Sequence, residues 1–159
     1  MRLKFIKDED FVNYKKAAIF LGAISCSFKC CKEQGLPCTI CQNEPWYKQS
    51  ILEKDDAEIV KRYLDNPFTS AVVFGGLEPL DQFDELVNLI ATFREKTNDD
   101  ICIYTGYREE EIQDKIERLK QFPNIILKVG RYVPNAPSRH DDILGVTLAS
   151  DNQYAIKIS

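Results

Sequence analysis

Histidine is almost missing from this sequence: His140 is the only one in 159 residues. That scarcity argues against a serine–histidine hydrolase and against a histidine-rich metal site. His140 itself lies in the polar stretch SRHDD and reads as a solvated surface residue. A basic excess is missing too. Lys and Arg number 21 against 25 Asp and Glu, a net charge of −4, which argues against nucleic acid as a partner, because that footprint needs clustered cations. No apolar run approaches the roughly eighteen residues of a membrane-spanning helix. The opening MRLKFIKDEDFVNYKK is charged throughout and has no apolar stretch of the kind a signal peptide carries. These absences lead to the expectation of a cytoplasmic chain without a membrane partner. With 44% apolar residues and its seven glycines and seven prolines scattered without a period, the chain reads as one domain over residues 1–159.

What is present in excess is cysteine. Five of the six (Cys26, Cys30, Cys31, Cys38 and Cys41) crowd into residues 26–41, and Cys102 stands alone. A disulfide scaffold spreads its cysteines to staple distant loops of a small secreted chain. This chain is long enough to bury a core without staples, so the cluster points to a metal or iron–sulfur site. Cys102 falls inside an apolar run and reads as a small core residue.

Apolar runs alternate with helical patterns along the rest of the chain. Residues 17–22 (AAIFLG), 70–74 (SAVVF), 101–104 (ICIY) and 125–129 (IILKV) predict buried strands. Asp55-x-x-Glu58 predicts a helix start carrying Ile59, Val60, Tyr63 and Leu64 on one face. Leu80 to Phe93 recurs at helical spacing, as do Ile112, Ile116 and Leu119, and the acidic run at 109–111 reads as the charged start of that last helix. From Tyr132 onward the tail predicts irregular structure. Continuously apolar strands separated by single helices predict an α/β fold with a parallel sheet of βα units. The cysteine loop, Gly75-Gly76 and Thr105-Gly106 each follow a strand directly, so they should gather at one sheet edge, where such folds bind ligands.

Two metal chemistries fit the thiols. Cys26-x3-Cys30 followed by Cys41-Gln42-Asn43 supplies three soft anionic donors for a four-iron cluster. Cys26-x3-Cys30 with Cys38-x2-Cys41 supplies the two pairs of a structural zinc site, which would make the chain a structural or interaction domain without catalysis. Gly75-Gly76-Leu77-Glu78-Pro79 favours the first. The glycines let backbone groups approach a ligand and Glu78 adds an acceptor for a cation, although a tight turn explains the glycines and a helix first turn explains Pro79.

Taken together, CQNEPW at 41–46, FGGLEPL at 74–80, IYTGY at 103–107 and ASDNQYAIKIS at 149–159 resemble the small radical S-adenosylmethionine (SAM) activating enzymes, particularly the activases of anaerobic ribonucleotide reductase. The sequence departs from that family's pattern in three places. Its third cysteine is displaced by the insert CKEQGLPCTI, Leu77 interrupts the glycine-rich motif, and NYKK stands where a Gly-x-Gly-hydrophobic-Arg approach is usual.

The resemblance implies a partial TIM-type barrel and an oxidoreductase of anaerobic metabolism. It implies a 4Fe-4S cluster on Cys26, Cys30 and Cys41, and SAM held by Gly75, Gly76 and Glu78. Thr105 would face the nucleoside or simply cap its strand, and Ile40 would pack on adenine or on its own loop. The implied partners are a glycyl radical enzyme as protein substrate and a reductant such as flavodoxin or ferredoxin. Cys31 and Cys38 are read as solvent-exposed bystanders, each with the alternative of replacing its neighbouring ligand.

Overall fold

Four apolar runs form the parallel centre of the sheet. In the computed structural model, which describes residues 1–159, the chain begins with β1 (Arg2–Leu3), β2 (Phe5–Asp10) and β3 (Ala18–Gly22), followed by short helices α1 (Lys29–Lys32) and α2 (Glu44–Tyr47) within the cysteine segment. Then come β4 (Leu52–Glu53), α3 (Asp56–Leu64), β5 (Ala71–Gly75), α4 (Phe83–Arg94), β6 (Asp100–Tyr104), α5 (Gln113–Leu119) and β7 (Ile125–Val129). The chain ends in β8 (Arg139–Asp141), β9 (Val146–Leu148) and β10 (Tyr154–Lys157).

The main sheet has the order β10-β7-β6-β5-β3-β2. β3, β5, β6 and β7 pair in parallel, whereas β2 and β10 run antiparallel at the edges. The expected all-parallel sheet is therefore corrected to a mixed six-stranded one. Both edges remain unpaired with each other, so the strand order defines an open sheet and does not establish a partial TIM-type barrel. Two further corrections have the same cause. The charged N-terminus supplies β2, and the tail supplies the β8–β9 hairpin and β10, all short or polar strands on which no apolar run announces itself. The helix at Asp56 starts where expected, yet Asp55 makes no side-chain cap. The acidic run forms a 3-10 turn at Glu109–Glu111 ahead of α5.

Each parallel strand is added beside the previous one, and crossovers of one hand then keep every helix on the same face. Side chains alternate across a strand, so Ile19, Leu21, Val72, Phe74, Ile101, Ile103, Ile125 and Leu127 all point to that face. They build a core of 22 buried residues with α3, α4 and α5. The opposite face carries a smaller core, in which Ala18, Ala71, Val73, Cys102 and Ile126 meet Tyr14, Leu144 and Leu148. The β8–β9 hairpin covers only part of this second face.

Phe93 is fully buried on the helical face, with its ring edge-on to Tyr63 at 5.5 Å between centroids. Phe93→Ala should destabilise the chain by about 3–5 kcal/mol, since a large apolar side chain is lost from a site with little room to collapse. Denaturant unfolding of the two proteins in the cluster-free state measures the difference.

Candidate functional site

The uncovered part of the second face is a cavity of about 390 Å³ at the carboxyl ends of the parallel strands. Its floor follows from strand alternation. Phe20, Tyr104 and Lys128 stand in successive positions across β3, β6 and β7, with Tyr104 and Lys128 in register. Gly75 lies between them. A Cβ there would come within 3.1 Å of Phe20 and 3.2 Å of Tyr104, so its missing side chain lets the flanking rings close over the strand end.

One wall is the cysteine segment. It has little regular structure and is tied down at several points. Glu78 N–H donates to the Ser25 carbonyl at 2.8 Å, and Ile24 N–H donates to Gln82 Oε1 at 2.7 Å. The far end is gripped by the N-terminus. Lys4 Nζ donates to the Tyr47 and Gln49 carbonyls, and Trp46 rests on Phe5 with 4.4 Å between centroids. Phe28, at φ 54°, adopts a left-handed conformation that non-glycine residues rarely take, and this reversal separates Cys26 from Cys30.

Cys26, Cys30 and Cys41 line the cavity, whereas Cys31, Cys38 and Cys102 do not. All six are free thiols. Cys102 is fully buried in its strand, as expected. Cys31 is only 2% exposed, which corrects its reading as a surface residue: its sulfur sits under the loop and takes the Cys41 N–H. The Cys26 sulfur accepts the Phe28 N–H at 3.3 Å, and Cys30 accepts the Tyr132 N–H. Burial pushes the Cys26 thiol up to about 12. Burial also raises Cys30, but the Tyr132 N–H and the charges of Arg131 and Lys128 oppose it. Backbone N–H groups aimed at sulfur are among the features that tune iron–sulfur centres. No three His, Cys, Asp or Glu side chains are grouped as a single-ion site.

The strand-end motifs meet these thiols. Glu78 is buried. Its two oxygens accept from Leu80 N–H at 3.1 Å and Gly106 N–H at 2.8 Å, and the Thr105 hydroxyl donates to it as well. Burial pushes its carboxyl up to about 7 despite these donors. A carboxylate offers about four acceptor positions, so these three donors leave one unfilled, and Glu78 is among the residues that line the cavity. Thr105 also lines the cavity, but its hydroxyl is occupied by Glu78 and by the Tyr107 N–H at 3.0 Å, a strand-end cap. Gly76 takes φ +75°, and a Cβ there would meet the Phe5 ring at 3.1 Å, so the glycine is demanded by the turn. Ile40 is 42% exposed and does not line the cavity.

Two cations escaped the sequence reading. Arg131, just beyond β7, pairs with Glu33 at 2.9 Å and Glu111 at 2.7 Å and donates to the Gly106 carbonyl. Lys128 is 7% exposed, and burial lowers its ammonium to about 8. The signal for Lys128 was a lone charge inside an apolar strand; Arg131 left none, because its partners lie far away in sequence.

A mixed α/β sheet thus brings three free thiols to a cavity at its strand ends. The family model described as 4Fe-4S single cluster domain matches residues 19–153, and the chain belongs to that family. No curated protein and no solved structure matches the chain. Membership favours the four-iron reading of the thiols over the zinc one. No helix is long and apolar enough to cross a membrane.

Gly106 sits under this site: a Cβ on it would lie 3.0 Å from the Cys30 sulfur and 3.6 Å from Glu78 Oε2. Gly106→Ala should displace Cys30 and weaken cluster retention by about 10-fold, the scale of a lost supporting contact. Iron and sulfide content after a chelator challenge reads the effect, with the fold checked by circular dichroism.

Proposed function

We propose that this chain holds a 4Fe-4S cluster on Cys26, Cys30 and Cys41 and cleaves SAM reductively to generate a radical on a partner protein. The observation that carries the reading is that three cysteines, not four, open onto the cavity, and that Gly76-Leu77-Glu78 opens onto it beside them. Three thiolates leave one iron of four without a protein ligand, which is where the amino and carboxylate groups of SAM would bind. The bound cluster would supply one electron to the sulfonium, giving methionine and a 5′-deoxyadenosyl radical.

The chain's own part is binding and orientation. Glu78, with its remaining acceptor position, accepts an N–H of the SAM amino group, whose lone pair the open iron would take. Gly76 presents backbone to the methionyl end. The aromatic floor of Phe20 and Tyr104 offers a dry surface to the rest of the ligand. Thr105 acts through Glu78, since its hydroxyl is committed within the chain. Ile40, on the exposed outer side of the loop, reaches adenine only if the loop closes over the ligand. The resemblance to the activases supports a glycyl radical enzyme as substrate and flavodoxin or ferredoxin as reductant.

Anaerobically reconstituted protein should change its electron paramagnetic resonance spectrum when SAM is added, and should release 5′-deoxyadenosine once reduced. Single replacement of Cys26, Cys30 or Cys41 by Ala should abolish the cluster, while replacement of Cys38 or Cys102 should leave it intact. Glu78→Gln should keep the cluster and weaken SAM by about 1–3 kcal/mol, the worth of a charge-assisted bond. A wild-type protein with a full cluster that neither binds SAM nor forms 5′-deoxyadenosine is an iron–sulfur binding module instead.

A further inference from the structure

We propose that Lys128 is the built-in counter-charge of the cluster, a fixed cation in the cavity floor beside Cys30 that favours the reduced state. The inference rests on the thiol assignment above but not on SAM.

The placement follows from alternation along β7. Ile125, Leu127 and Val129 join the helical core, so Ile126 and Lys128 must face the other way. Ile126 meets the small core of that face, and Lys128, two residues closer to the strand end, lines the cavity. Its in-register neighbour is Tyr104, whose ring lies 6.0 Å from Nζ, and Gly106 under Cys30 comes two residues after Tyr104, past the end of β6.

A buried lysine on a sheet strand is costly, because a desolvated ammonium requires a partner. Within the chain Lys128 has only weak partners. No carboxylate comes within 4.0 Å, and its best acceptor is the Gly130 carbonyl at 3.5 Å. The other cations lining the cavity are already matched: Lys29 lies 3.6 Å from Glu111, and Arg131 pairs with both Glu33 and Glu111. Glu78, the only carboxylate of the lining, is turned to backbone amides. Thus Lys128 is the one cation of the lining without an ion-pair partner. Three thiolates carrying a four-iron cluster bring negative charge to this wall, and a one-electron reduction adds another unit. A cation buried among low-dielectric walls acts on that added charge more strongly than an exposed one would. The electron comes from a low-potential donor of the flavodoxin or ferredoxin class, or from dithionite in the laboratory. No bond changes at Lys128, which keeps its proton in both states.

The test is a redox titration of cluster-loaded protein followed by electron paramagnetic resonance at one pH. Lys128→Met keeps the length of the side chain and removes its charge. At a fixed poise the ratio of reduced to oxidised cluster should fall about 10-fold, equivalent to 59 mV for one electron. Lys128→Arg should stay near wild type. An unchanged midpoint in Lys128→Met with a full cluster overturns the proposal. Thermal unfolding of the cluster-free proteins gives an independent arm: Lys128→Met should melt higher than wild type, because a buried charge with no ion-pair partner is gone. A lower melting temperature would mark Lys128 as an internally paired structural residue and overturn the proposal even if that variant never takes up iron. Failure of the thiol assignment shows separately, as a Cys30→Ala protein that retains its cluster.

Discussion

The guanidinium of Arg131 joins three segments that share no secondary structure. It pairs with Glu33 at the end of α1, with Glu111 ahead of α5, and with the Gly106 carbonyl at the end of β6. A nearly buried guanidinium is tolerable only when its planar donors are filled, and here two carboxylates and a carbonyl fill them. The cysteine segment is thereby held over the strand ends before any cofactor is considered. The C-terminus completes the joint. Asn152 Nδ2 donates to the Arg131 carbonyl at 2.8 Å and Gln153 Nε2 to the Gly130 carbonyl at 3.3 Å. Gly130, at φ +103°, leaves no room for a Cβ beneath Asn152. The last strand of the chain therefore takes part in positioning the first thiols.

A second constraint is the unequal use of the sheet's two faces. Because α3, α4 and α5 share one face, that face takes most of the apolar side chains, and the other is left with small residues and a short hairpin. Small residues at Ala18 and Ala71 near the strand starts give way to Phe20, Tyr104 and Lys128 near the strand ends, where the cover stops. The cavity is a consequence of that winding. Stability is invested on the helical face, which frees the opposite one for chemistry.

The electrostatics of the cavity are graded. Burial raises both thiols; Glu78 and Asp81 add to it at Cys26, whereas at Cys30 the Tyr132 N–H and the charges of Arg131 and Lys128 oppose it more than Glu78 adds. Metal binding requires deprotonated thiols, so Cys30 is the readier of the two. Under the proposed function Glu78 is the acceptor for the amino group of SAM, and Lys128 is a cation of the same cavity lining.

Much of this was legible in the linear sequence. Apolar runs near residues 18, 71, 101 and 125 and helical spacing at 59–64 and 80–93 encode local burial, which is read without knowing any partner. Clustered thiols in a chain with one histidine pointed to soft-metal chemistry for the same reason: donor type is a property of the residue. The edge strands were hidden, because Phe5–Asp10 and Tyr154–Lys157 become strands only by pairing with β3 and β7. The division of labour among five neighbouring cysteines was likewise set by the fold, which turns Cys31 under the loop and Cys26, Cys30 and Cys41 toward the cavity. Lys128 shows the division most clearly. Its charge was visible in the apolar run IILKV, but whether that charge was matched depended on what stood opposite it across β6 and the hairpin. Sequence determines which groups are available and their local periodicity; only tertiary structure decides their neighbours, because those neighbours come from segments that the chain separates by tens of residues.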